Sequence, residues 1–221
     1  MKKISSLILF AVVLYFQISA QKSIAIGGYF SPSITSRLTS SPEELSWLNT
    51  DMNNISRAGF GYSAGVFGEQ RISEKLSVRA GLGYLSMGEN VDSLSAVGVD
   101  LYKSNYRFIE LPLVASYSFG ANKYVRPYVS FGYVLNYYIN NRLSYSYAGS
   151  NNEETLLVKN DFNSINHALR VSFGYDFVLD KKWNMRTECY GSSFVSSLTE
   201  QGISRRPVAI GMSIHLLKKS K

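Results

Sequence analysis

Eight stretches of the chain alternate apolar and polar residues, and the links between them are by turns long and short. A β-strand sends successive side chains to opposite faces, so alternation with period two marks a strand with one apolar and one polar face. One stretch sets Val129, Phe131, Tyr133, Leu135, Tyr137 and Ile139 against Ser130, Gly132, Asn136 and Asn140. The next sets Leu169, Val171, Phe173, Tyr175, Phe177 and Leu179 against Arg170, Ser172, Gly174 and Asp176. Leu76–Tyr84 and Val208–Leu216 repeat the pattern, and the other four stretches follow it less regularly. The predicted strands are Ser23–Ser36, Gly59–Ile72, Leu76–Met87, Lys103–Phe119, Arg126–Arg142, Asn163–Leu179, Trp183–Phe194 and Ser204–Leu217.

The short links are Ser73-Glu74-Lys75, Gly120–Val125 and Asp180-Lys181-Lys182; the long ones fill Arg37–Ala58, Gly88–Tyr102, Leu143–Phe162 and Val195–Ile203. Together these features predict an all-β fold: an eight-stranded, antiparallel, up-and-down transmembrane β-barrel with short periplasmic turns and longer extracellular loops. A soluble lipocalin-like barrel also has eight alternating strands, but it turns its apolar faces inward. The aromatic residues favour lipid outside. Tyr117, Phe119, Tyr128, Phe177 and Trp183 fall near the short turns, and Phe30, Phe60, Tyr62, Tyr84 and Tyr137 near the long loops, which predicts two interfacial girdles around a mostly aliphatic midsection.

The N-terminus fits the same compartment. Lys2 and Lys3 precede an apolar run, Leu7–Phe16, and Ile18-Ser19-Ala20 offers a cleavage site before Gln21. Residues 1–20 therefore read as an export signal and residues 21–221 as one barrel domain. The run is about half the roughly twenty residues that a spanning helix needs. A mean hydropathy of −0.06 leaves nothing for a membrane helix, whereas alternating strands meet lipid with half of their residues. The single cysteine, Cys189, excludes a disulfide framework.

Strand parity carried inward places Glu69, Arg71, Arg79, Glu110, Arg170, Asp176, Arg186 and Glu188 in the lumen, with Gly61, Gly65, Gly81, Gly83, Gly132, Gly174 and Gly211 leaving room for them. Eight strands enclose a space that side chains fill, so opposite charges are expected to pair there and plug the barrel. Glu110 is expected to meet Arg79 or Arg170, and Pro112 to leave a bulge or a missing bond in the ladder. His167 falls near the outer rim, close in sequence to Asp161 and Ser164, without a recognised catalytic spacing; His215 falls near the other end. No catalytic residue, metal site or cofactor is assigned.

The formal charge is +7, two units of which belong to Lys2 and Lys3. Arg37, Arg57, Lys103, Arg107, Arg142, Lys159, Arg205 and Arg206 lie in or beside the outer strand ends, a collar suited to the phosphates of lipopolysaccharide. No basic helix or recognised motif points to nucleic acid. In the first long link, Ser41-Pro42-Glu43-Glu44 reads as a capped helix start. Trp47 and Leu48 follow it and either cover the barrel mouth or meet a partner; Tyr145 and Tyr147 of the third link are the other candidate contact surface.

The fourth strand carries Tyr106-Arg107-Phe108-Ile109-Glu110-Leu111-Pro112-Leu113 and then Tyr117-Ser118-Phe119-Gly120; the fifth carries Arg126-Pro127-Tyr128-Val129 and Phe131-Gly132-Tyr133, and Leu82-Gly83-Tyr84 precedes both. This series resembles the PorT-like outer-membrane β-barrel family over nearly all of the mature chain. The resemblance implies the barrel fold and the cell outer membrane, and some members of that family serve type IX secretion. The chain departs from common barrel grammar at its end, Leu216-Leu217-Lys218-Lys219-Ser220-Lys221, where an aromatic is usual. The expectation is a small integral outer-membrane protein with a structural or surface-interaction role. Its partners would be outer-membrane lipid and an envelope or secretion protein. Two alternatives stay open: an accessory role in protein export, suggested by the resemblance alone, and a lipid- or peptide-modifying site at the outer rim.

Overall fold

Nine strands account for the regular structure of the described residues, which are 24–40, 56–94, 99–119, 124–147, 153–158, 162–198 and 204–218 of a computed structural model. They are β1 (Ile24–Ser40), β2 (Ser56–Arg71), β3 (Leu76–Leu94), β4 (Val99–Ser118), β5 (Val125–Tyr147), β6 (Glu153–Val158), β7 (Ile165–Val178), β8 (Trp183–Phe194) and β9 (Ser204–Lys218). All pairings are antiparallel. β5 pairs with both β4 and β7, and β1 pairs with both β2 and β9, so eight strands close into a ring. β6 is outside the ring and pairs with the outer end of β5, from Asn141↔Val158 to Ser146↔Glu153. The seam between the first and last strands runs from Ile26↔Lys218 to Ser40↔Ser204.

Strands β1 to β5 are longer than the alternation predicts. β5 has 23 residues and β4 has 20, against the roughly 9–11 that cross a bilayer. Beyond the membrane the alternation of apolar and polar fades, as in Asn140-Asn141-Arg142-Leu143-Ser144, but the backbone groups still need partners and the ladder continues. For the same reason the third long link contains a hairpin of β5 and β6. Residues 1–23, including the expected export signal, and residues 41–55, including the expected capped helix with Trp47 and Leu48, lie outside the described residues.

Which face meets lipid is plain along β7. Asn166, Ala168, Arg170, Ser172, Gly174 and Asp176 are buried, while Ile165, Leu169, Val171, Phe173 and Tyr175 are exposed. The apolar side chains are outside and the polar ones inside, opposite to a lipocalin. Phe30, Tyr62 and Tyr84 form a chain of ring contacts on the outer wall, with centroids 6.4 and 6.1 Å apart, and Tyr117 and Phe119 meet edge to face with centroids 5.1 Å apart near the opposite end. Tyr128 is not part of a girdle, because its parity turns it into the lumen, where it is 2% exposed. Phe131 and Phe173 are exposed on the midsection, so that band is less aliphatic than expected.

Of the bulge or missing bond expected at Pro112, the structure has the missing bond. The β3–β4 register is the same on both sides of it, Ala80↔Leu113 and Gly83↔Glu110, and the pairs between are missing. The register shifts are elsewhere: between Ala58 and Tyr62 on β2, at Ile139 on β5 opposite Arg107 and Phe108, and between Val99 and Leu101 on β4.

Glycine has two different roles on these walls. A Cβ at Gly174 would strike the Thr187 carbonyl oxygen and the Glu188 backbone, whereas one at Gly191 would meet open space on the outer face. Gly174→Val is expected to lower the stability of the folded barrel by about 1–3 kcal/mol, the usual cost of overpacking, and Gly191→Val to leave it within about 0.5 kcal/mol. Urea titration of folding into lipid vesicles measures both.

Candidate functional site

The lumen is filled in two tiers, of which parity predicts only the charged one. On the extracellular side the inward positions carry Leu85, Met87, Tyr106, Phe108, Val134, Tyr138, Ala168, Tyr190, Phe194 and Ala209, a buried apolar cluster joined by Leu198 and Phe162 from the loops. The Phe108 ring lies 5.8 Å from Tyr138 and 5.4 Å from Phe194, and Phe162 packs 5.1 Å from Tyr138. Leu198 is held over the mouth by the hydrogen bond that Asn163 N donates to its carbonyl, at 2.7 Å. The interior is therefore not plugged by charged and polar side chains alone; its outer half contains an apolar core, beside buried polar groups such as Asn136 and Asn166. This tier is hard to see from sequence because the apolar residues sit on the otherwise polar face of β4, β5 and β8, where Phe108 and Ile109 are both apolar.

Below this core is the charged tier. Arg186 grips Glu69 with both terminal nitrogens, at 2.6 and 3.0 Å, stands 3.8 Å from Asp176 and stacks its guanidinium 4.8 Å from the Tyr128 ring centre. Arg79 donates to His215 Nδ1 at 2.8 Å, and His215 Nε2 lies 3.2 Å from Glu188. Because a guanidinium only donates, His215 Nδ1 is the acceptor and Nε2 carries the hydrogen directed at Glu188. Tyr128 and Ser172 also donate to Glu188, at 2.6 and 3.0 Å, and Arg79 stands 3.7 Å from it. Nearest the apolar tier, Tyr29 donates to Glu110 at 2.5 Å, and Arg170 lies 3.6 Å from Glu110 and 4.5 Å from the Tyr190 ring centre.

Seven of the eight residues expected in this network are buried together: Glu69, Arg79, Glu110, Arg170, Asp176, Arg186 and Glu188. Arg71 is not among them, because it closes β2 at the periplasmic rim and is exposed. Glu110 meets Arg170. The sequence pattern sets His215 on the inward face of the last strand without joining it to the network, and it left out Tyr29 and Tyr128, whose inward parity was the available signal. It also missed Glu89, on the polar face of β3.

Glu89 accounts for a second correction. Arg37, expected in the outer collar, turns inward and pairs with Glu89 at 2.8 Å. Arg57, Lys103, Arg142 and Arg206 are exposed at the outer ends and Arg107 is half-buried on the outer wall. Lys159 and the side chain of Arg205 lie outside the described residues, as does the side chain of Tyr147; Tyr145 is half-buried on β5. His167 is also on the outer wall. Its Nδ1 is hydrogen-bonded to the Tyr133 hydroxyl, and Ser196 Oγ accepts its backbone N–H at 2.9 Å. Asp161 lies outside the described residues.

A family model, the outer membrane protein beta-barrel domain, matches residues 17–192. The chain belongs to this outer membrane protein β-barrel family. Membership agrees with the outward apolar faces and places the protein in the outer membrane. Among solved structures it is similar in fold to Neisserial surface protein A, at 13% identity over 86% of this chain and 97% of that one, with a TM-score of 0.47. Similar too are OprG from Pseudomonas aeruginosa, at 14% identity over 90% and 96% with a TM-score of 0.47, and Ail of Yersinia pestis, at 10% over 86% and 97% with a TM-score of 0.33. A search of curated proteins finds no match to the sequence.

The Arg186–Glu69 pair gives this barrel its sharpest test of interior electrostatics. Removing one partner of a buried ion pair strands the other, so Arg186→Met is expected to cost about 3–5 kcal/mol. Arg186→Met with Glu69→Leu removes both charges of the pair and is expected to recover part of that loss, because Asp176 still loses its guanidinium. Urea titrations of wild type, both single variants and the double variant, all in lipid vesicles, measure the cycle.

Proposed function

We propose that this is an integral outer-membrane protein with a structural or surface-interaction role, whose lumen conducts nothing and whose working surfaces are its outer wall and extracellular ends. The observation that carries the reading is the filling of the lumen. A solute entering from outside meets Leu198, Phe108 and Phe194, and one entering from the periplasm meets the paired Arg186, Glu69, Arg79 and Glu188. The strands that pass beyond the membrane, β3 with β4 and β5 with β6, offer sheet surface for contact, and Leu156 and Leu157 on β6 are exposed. The Glu110-Leu111-Pro112-Leu113 run supports assignment to the PorT-like branch.

In a planar lipid bilayer the purified, folded protein is expected to produce no stepwise conductance at a protein load where a general porin gives many channels. Reproducible unitary steps abolished by boiling the sample would overturn the closed-lumen reading.

A further inference from the structure

We propose that the outer wall formed by β2 to β5 binds the phosphate groups of an outer-leaflet glycolipid, the headgroup chemistry of lipopolysaccharide. This rests on the reading that the barrel works through its outer surfaces. Ladder register fixes the layout. Arg57, Asn90, Lys103 and Ser144 are successive partners across β2, β3, β4 and β5. One outward row lower Asn105 faces Arg142, and one row lower again Arg107 stands between Ser86 and Asn140. Three adjacent rows of one wall thus carry four cations.

Their height matches a headgroup. Tyr62 shares the row of Arg107 through Ser86, and the row beneath it holds Tyr84, Ile109 and Tyr137. Interfacial aromatics settle at headgroup depth, so the cations begin where the acyl region ends. The neutral positions between them are Ser86, Gly88, Asn90, Asn105, Asn140 and Ser144, and these three rows hold no carboxylate; Asp92, opposite Leu101 one row further out, lies beyond the described side chains. Glu89 on β3 points into the barrel and pairs with Arg37. Lys103 and Arg107 are four residues apart on one strand, about 13 Å at strand spacing, with Arg142 between them on the next strand. That span suits a headgroup with more than one phosphate, which Arg grips with paired N–H groups and Lys meets as a point charge.

The charge is one-sided. At the outer ends of β8, β9 and β1 the outward side chains include Ser193, Val195, Val208, Ile34 and Leu38, with Arg206 as the cation among the described ones. A diffuse electrostatic collar would encircle the barrel; a wall of four cations fits a lipid held in place.

The test is the lipopolysaccharide retained by the protein extracted from outer membranes in mild detergent, with the heat-dependent gel shift confirming a folded barrel. Arg107→Gln with Arg142→Gln is expected to cut retention roughly tenfold or more, the loss of two charge-assisted contacts, and Arg206→Gln to leave it unchanged. Asn105→Glu, which sets a carboxylate in the middle of the patch and keeps every cation, is expected to reproduce the loss. In reconstituted samples, lipid A with its phosphates should outcompete both phosphate-free lipid A and phosphatidylglycerol. Undiminished retention in the folded double variant and in Asn105→Glu, or equal competition by the phosphate-free lipid or by phosphatidylglycerol, would overturn the proposal. A non-conducting barrel that retains no glycolipid removes this proposal and leaves the closed-lumen reading standing.

Discussion

A bilayer core offers no hydrogen-bond partners, so each backbone N–H and C=O of a strand that crosses it must find a partner within the protein. For a sheet, the solution without an unpaired edge is closure, and the β1–β9 seam supplies it from Ile26↔Lys218 to Ser40↔Ser204, interrupted at Ser31 and Pro32, where proline has no N–H to donate. Closure then dictates the side chains. Half of each strand must be apolar for lipid, as with Ile210, Met212 and Ile214 of β9, and the other half must fill an interior about as wide as the side chains themselves. The interior chemistry follows from the wall.

That interior solves its packing in two ways. Toward the periplasm, guanidiniums and carboxylates are buried only because each has several partners: Glu188 alone is approached by Tyr128, Ser172, His215 and Arg79. Toward the cell surface the same inward positions are apolar and aromatic, and loop residues Phe162 and Leu198 complete the cluster. The apolar tier needs no partners and pins the loops over the mouth; the charged tier fixes which side chains face one another. Inward glycines such as Gly83, beside the Tyr29 hydroxyl, make room for the larger of these groups.

Much of the wall was legible in sequence, because period-two alternation reports the face of each residue directly: β7 and β8 begin or end within two residues of expectation. The ends of β3, β4 and β5 were not, because outside lipid both faces become polar and the alternation that marks a strand disappears. Parity put seven charges in one network but could not show that Phe108, Tyr138 and Phe194 would gather above it, since a lumen-facing aromatic looks like an irregularity in the pattern. Arg37 and Glu89 illustrate the other limit. Each is an ordinary charged residue near a strand end, and their pairing across β1 and β3 appears only when the barrel brings them together. The outer-wall cations were visible as a set, but their concentration on one side depends on strand register.

Brominated-lipid quenching of single tryptophans tests the arrangement most directly, with the native Trp47 and Trp183 replaced by Phe. Tryptophan at Phe131 or Phe173 is predicted to be strongly quenched by bromines on the acyl chains, and tryptophan at Phe67 or Phe108 to be untouched. The reverse pattern, with 67 and 108 quenched and 131 and 173 protected, would contradict a barrel that shows its apolar face to lipid and closes around a filled interior.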